Sequence, residues 1–150
     1  IDIDAIDRQI LRSLAQDASQ NASILGRQLG LSQSATWRRI KRLTEAGVLS
    51  GQRVAVDAAA LGFGVTVFLG IKLAAKGRVS LEDFERAVAS IPEVQVVQHV
   101  LGLYDYRLRV VARDIGDFER ILRRRIMTLP GAGQVEANVL LTQERGLGPL

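Results

Sequence analysis

The sequence predicts an α+β protein in two parts: a front third of three short helices, then a longer portion ordered β-α-β-β-α-β. Three observations carry this. Before residue 50, apolar residues recur at helical spacing in three capped stretches. From residue 65 the spacing switches to strict alternation, the period of a strand. Charge also separates the parts. Residues 1–53 hold eight Lys/Arg against five Asp/Glu, a balance of +3, and the remainder holds twelve against eleven, a balance of +1.

The first helix covers residues 4–15. Ile6, Ile10, Leu11 and Leu14 form one apolar stripe, and Asp4 and Asp7 suit the positive end of the helix dipole. Residues 17–20 are polar and break the pattern. Asn21 caps a second short helix with Ile24, Leu25 and Leu29 inward, and Gly30 ends it.

The third helix, within residues 30–49 (GLSQSATWRRIKRLTEAGVL), organises the front of the chain. Ser32 is its N-cap, because a hydroxyl accepts from the free amides of the first turn. Gly47 marks its end, where glycine reaches the left-handed conformation cheaply. Thr36, Ile40 and Leu43 share one face, while Ser34, Arg38, Lys41 and Arg42 share the other with Trp37 on the flank. Four cations within residues 38–42 suit phosphate neutralisation, and small polar residues at the helix front reach base edges. Three short helices with a glycine turn between the last two are the helix-turn-helix pattern.

Residues 52–57 read as a strand, serving as a wing or as a strand in a partner's sheet. The small-residue run DAAALGFG, 57–64, reads as a hinge. The expected domains are therefore a helix-turn-helix domain at 1–50, a linker strand and hinge at 51–64, and a rear domain at 65–150.

In the rear domain, Val65, Val67, Leu69, Ile71 and Leu73 alternate with Thr66, Phe68 and Lys72, which is a strand. Ser80 caps a helix with Leu81, Phe84, Val88 and Ile91 inward, stopped by Pro92. Residues 93–101 are β-rich, Gly102-Leu103 turns, and 104–112 is a strand with Tyr106, Leu108 and Val110 on one side. A second helix spans 114–129 with Ile115, Phe118, Leu122, Ile126 and Leu129 inward, ended by Pro130-Gly131. Residues 134–142 close the domain as a strand. This order is the ferredoxin-like sandwich, an antiparallel sheet with helices on one face. Its other face would expose Phe68, Val97 and Leu140, and a second copy of the chain is the simplest cover.

Several function classes are disfavoured. There is no cysteine and one histidine, His99, so no thiolate or His-rich metal site is expected, and no cofactor is expected. His99 on its strand reads as packed or interfacial. The start of the chain is acidic and amphipathic, unlike a signal peptide, and the longest largely apolar stretches, 58–63 and 65–71, are too short to span a bilayer. A soluble cytoplasmic protein with no membrane partner is the expectation. Gly62 and Gly64 belong to no phosphate loop. Glu82, Asp83 and Glu85 suit a helix start, and Arg123, Arg124 and Arg125 read as a solvated or intersubunit face.

The runs IDAIDRQILRSL and NASILGRQLGLSQSATWRRIKRLTEAGVLSG resemble the DNA-binding half of the Lrp/AsnC family of bacterial transcription regulators. Asp4, Asp7, Ile10 and Leu11 match the family's Asp-x-x-Asp before Ile-Leu. Gly30, Leu31 and Ser32 match its Gly-Leu-Ser start, and Arg39 its central arginine. Arg42, Leu43 and residues 47–49 match its ending. Gly26 departs from the usual alanine and should soften the second helix by about 1 kcal/mol. In the rear, GLYDYRLRV at 102–110 resembles the family's Gly-x-Tyr-Asp-Tyr hairpin.

The resemblance implies homodimers assembling to tetramers or octamers, and a small effector, most often an amino acid, bound beside that hairpin. Expected contacts to double-stranded DNA are Ser32, Gln33, Ser34, Thr36, Trp37, Arg38, Lys41 and Arg42. Gln33, Ser34 and Arg38 would reach bases, and Lys41 and Arg42 phosphates. For the effector, Gly102 would admit the backbone, Tyr104 would wall the pocket, and Asp105 would pair with an amino group or simply bond turn amides. The family's Arg-Thr-x-Thr is replaced by Gln134, Val135, Glu136 and Ala137, so Val135 and Ala137 would line an altered pocket. Two alternatives stand beside a regulator. One is an architectural DNA-binding protein without effector. The other is an enzyme similar to the siroheme decarboxylases, which a single histidine disfavours.

Overall fold

The computed structural model describes residues 1–74, 81–146 and 148–150. It divides into two compact units, residues 1–55 with 144–150, and residues 56–143.

The first unit holds α1 (Ala5–Gln16), α2 (Ala22–Leu29) and α3 (Gln33–Glu45). Each begins where a side chain can replace a missing backbone acceptor. The Asp4 carboxylate accepts from the Asp7 amide while the Asp7 carboxylate accepts from the Asp4 amide, a reciprocal box. Asn21 accepts from the Ile24 amide, and Ser32 from the Ala35 amide. Gly30, at φ 71°, ends α2 in the left-handed region. Ile10, Leu11, Leu25 and Leu43 form the core, with Ile6, Leu14, Leu29 and Ile40 packed against them.

The turn from α2 to α3 is tight. A Cβ at Gly26 would stand 2.8 Å from the Leu31 carbonyl oxygen and 3.1 Å from Thr36 Oγ1. Gly26 therefore does more than soften α2: its missing side chain lets the turn close against the helix. Residues 52–57 differ from the expected strand. Among the described residues they pair with no other strand, and Val54 is 89% exposed. The chain thus builds no wing of its own there.

The second unit is a four-stranded antiparallel sheet in the order β2-β3-β1-β4, with two helices in the β-α-β-β-α-β sequence. Its strands are β1 (Val65–Leu73), β2 (Val94–His99), β3 (Tyr106–Ala112) and β4 (Ala132–Val139). The helices are α4 (Leu81–Ala89) and α5 (Ile115–Ile121), the latter continuing as a π turn over Leu122–Ile126. Val67 opposes Val110 and Leu69 opposes Leu108, so the alternating apolar face of β1 meets that of β3. Phe84, Val88, Phe118, Ile121 and Ile126 complete the core with this face.

Four expectations shift. A register change between Val94 and Val96 turns Val97 opposite Leu108 and into the core, leaving Val96 exposed in its place. Ile121, three residues after Phe118, is buried and the π turn that follows brings Ile126 to the same core, while Ile115, the first residue of the helix, is 55% exposed. Leu81, likewise the first residue of its helix, is exposed. Finally β4 begins two residues before the expected strand, at Ala132. The expected cap Ser80 lies outside the described residues. No helix among the described residues is long and apolar enough to cross a membrane.

Candidate nucleic-acid interface and ligand hollow

Of the four clustered cations on α3, two pair with the start of the chain and two face outward. Arg39 Nη1 donates to Asp4 Oδ2 at 2.8 Å and to Asp7 Oδ1 at 2.9 Å. Arg42 donates through Nη2 to Asp7 Oδ2 and through Nη1 to the Asp2 carbonyl at 3.0 Å. Asp7 is wholly buried. Burial opposes its ionisation, but the Asp4 amide and the guanidiniums of Arg42 and Arg39 outweigh that and hold its carboxyl below the ordinary value. Asp4 is lowered as well, first by the Asp7 amide and then by Arg39. These charges clamp α3 to the start of α1. Arg42, expected on phosphate, is thus engaged within its own unit.

The outward face presents Gln33, Ser34, Trp37, Arg38 and Lys41, all exposed. Lys41 Nζ stands 5.0 Å from the centroid of the Trp37 ring and 3.9 Å from Glu45. Ser32 is spent as the cap, with its Oγ 3.3 Å from that of Ser34. Thr36 must be withdrawn from the expected contacts. It is fully buried, and its hydroxyl donates to the Ser32 carbonyl at 2.9 Å. The same spacing that gives α3 an apolar stripe places Thr36 in it.

The second unit carries a hollow of about 480 Å³ on the sheet face away from its helices, reached by Phe68, Gly70, Leu101, Leu103, Tyr104 and Glu136. Gly102 and Arg107 also border it. Tyr104 lies against Gly70, and its hydroxyl donates to Glu136 Oε2. That bond to a carboxylate raises the Tyr104 pKa. Asn138 Nδ2 reaches the other Glu136 oxygen at 3.4 Å. Of the expected effector residues, Gly102 and Tyr104 come together here. A Cβ at Gly102 would meet nothing within 4 Å, so the chain itself does not demand glycine there. Asp105 turns back into the sheet: its Oδ2 accepts from the Leu73 amide at 2.8 Å.

Val135 and Ala137 point the other way. They oppose Ile71 and Leu69, on the helix-side face of the sheet, and Val135 packs against the core. Strand alternation gives the hollow their neighbours Glu136 and Asn138 instead, opposite Gly70 and Phe68. Gly70, Glu136, Arg107 and Phe68 are the residues missed in sequence. A glycine inside an alternating strand was the available signal, since it marks close approach by another group.

A capped helix-turn-helix unit with a cationic outward face, followed by an open-faced sandwich carrying a small hollow, defines a DNA-binding regulator with a ligand-receiving domain. Comparison with known proteins agrees. Residues 3–44 match the AsnC-type helix-turn-helix domain and residues 66–146 the Lrp/AsnC ligand binding domain. The chain belongs to the Lrp/AsnC family of transcriptional regulators, and its partners are DNA and a small-molecule effector.

It is 31% identical to the proline dehydrogenase transcriptional activator of Rhizobium radiobacter, over 98% of this chain and 94% of that one. It is 34% identical to the leucine-responsive regulatory protein of Rhizobium meliloti, over 79% of this chain and 76% of that one. Among solved structures, an AsnC family transcriptional regulator from Agrobacterium tumefaciens superposes at TM-score 0.84 with 31% identity, covering 98% of this chain and 95% of that one. A Neisseria meningitidis regulator solved with L-Met shares the fold at TM-score 0.89 and 23% identity, covering 99% and 96%.

Proposed function

We propose that this regulator reads DNA with the outward face of α3 and answers to an amino-acid effector held in the hollow beside Tyr104. The observation that carries the first half is the division of the α3 cations: Arg39 and Arg42 bind Asp4 and Asp7, so Arg38 and Lys41 remain for the duplex. Gln33, Ser34 and Arg38 are assigned to base edges, and Lys41 to phosphate. The effector half is supported by the chemistry of the hollow. Arg107 suits a carboxylate, Glu136 an ammonium, and Phe68, Leu101 and Leu103 an apolar side chain. A relative named as leucine-responsive points to the same ligand class.

The regulator acts as a homodimer in the cytoplasm, assembling further to tetramers or octamers. The open sheet face supports the dimer: Phe68 and Val96 lie there, and the buried Nε of Arg109 has no partner among the described residues. A thermal-shift screen of the proteinogenic amino acids tests the effector. One or a few should raise Tm by mass action, and Glu136→Gln should diminish the shift. No shift with any of them, or a shift indifferent to Glu136→Gln, contradicts the assignment.

A further inference from the structure

We propose that Trp37 is a specificity-determining residue that reads the 5-methyl group of thymine in the major groove. The inference rests on the reading that α3 enters that groove. Trp37 is 54% exposed, a large indole turned to solvent on the same helix face as Gln33, four residues before it, and Lys41, four after. Its orientation is not free. The Lys41 ammonium sits over the ring at 5.0 Å, and α3 itself is clamped through Arg39 and Arg42. Beside the ring lies an open hollow bounded by Ser32, Gln33 and Ser34 at the helix front.

The chemistry of the groove narrows what can fill that hollow. Phosphates are met by Arg38 and Lys41, charges the indole lacks. Bases in a duplex are stacked on one another and offer the ring no face. Among the groups on major-groove edges, the thymine C5-methyl is the apolar one, and it projects into the groove. An indole edge lined up with Gln33 and Ser34 buries that methyl while the neighbouring polar side chains bond the adjacent edges. Trp37 thus selects for thymine where an amide or hydroxyl would select by hydrogen bonding.

The full chain can test this. A duplex site is first enriched from a random library, and every thymine in it is then replaced singly by uracil, which differs by that methyl alone. Fluorescence anisotropy is expected to show wild-type affinity falling about fourfold at one or two thymines per half-site, the effect of one unburied methyl. Trp37→Ala should bind those uracil duplexes and their thymine parents equally. Circular dichroism checks its fold, and Trp37→Phe, with a smaller ring and an intermediate uracil effect, replaces it if alanine unfolds the unit. Wild-type binding indifferent to uracil everywhere overturns the inference and leaves the regulator reading intact. So does an unchanged uracil penalty in Trp37→Ala. Failure of any site to enrich overturns both.

Discussion

The ring of Tyr104 rests against Gly70, so that a Cβ at residue 70 would stand 2.8 Å from Cγ and Cδ2 of the ring. Tyr104 reaches Glu136 because β1 has no side chain at that point, and Gly70 opposes Glu136 directly across the ladder. A residue far from the hairpin in sequence thereby places the wall of the hollow. Gly70→Ala should displace the ring toward solvent, lowering stability by about 1 kcal/mol and reducing the effector-induced rise in Tm far more than that loss explains. Thermal melts with and without effector measure both. A variant with an unchanged effector response would show that the position of Tyr104 is irrelevant to the hollow.

Asp7 is wholly buried and accepts from Arg39, Arg42 and the Asp4 amide, so removing it deprives three donors of their acceptor. Asp7→Ala should destabilise the first unit by about 2 kcal/mol, the cost of lost charge-assisted hydrogen bonds and a broken capping box. Urea unfolding followed by Trp37, the single tryptophan and a residue of that unit, reads this directly.

The same cluster sets an acid limit. Asp4 and Asp7 both titrate below their ordinary 3.8 in the folded chain. A depressed folded pKa adds stability that is complete above the unfolded value and vanishes as pH falls through the folded one. Trp37-detected stability should therefore drop as pH falls below about 4, and the drop should be shallower in Asp7→Asn. Equal acid slopes would show that Asp7 does not set the acid limit.

Alanine is the better helix former at residue 26 by about 1 kcal/mol, and the family resemblance makes it the obvious replacement. Yet its methyl would press on the Leu31 carbonyl at 2.8 Å, backbone that closes the α2–α3 turn. Gly26→Ala should lower stability by about 1 kcal/mol net. A stabilised variant would mean that the turn yields freely.

Much of this architecture was legible because it rests on local chemistry. Asp4, Asn21 and Ser32 cap as their side chains require, Gly30 ends α2, and the alternation of Val65 to Leu73 places β1 residue by residue. What was not legible depends on partners distant in sequence. Arg42 and Asp7 are 35 residues apart, and nothing in the helical period of α3 says that this arginine is taken by α1. The π turn at Leu122–Ile126 and the register change near Val96 each break a period that a sequence reading assumes to continue. At the hollow the motif Gly102 to Tyr106 marked the place. Parity along β4 decided that Glu136 lines it, while Val135 and Ala137 face the helices.

If the outward face of α3 reads sequence, Arg38 should contact a base. The direct measurement compares Arg38→Lys with wild type on an enriched duplex and on a random one at the same salt. Lysine keeps the charge but loses the planar fork that pairs with a guanine edge. Affinity for the enriched site should fall about tenfold or more while random-duplex binding stays within about a factor of two. Equal change on both duplexes would contradict the claim and leave α3 a purely electrostatic contact.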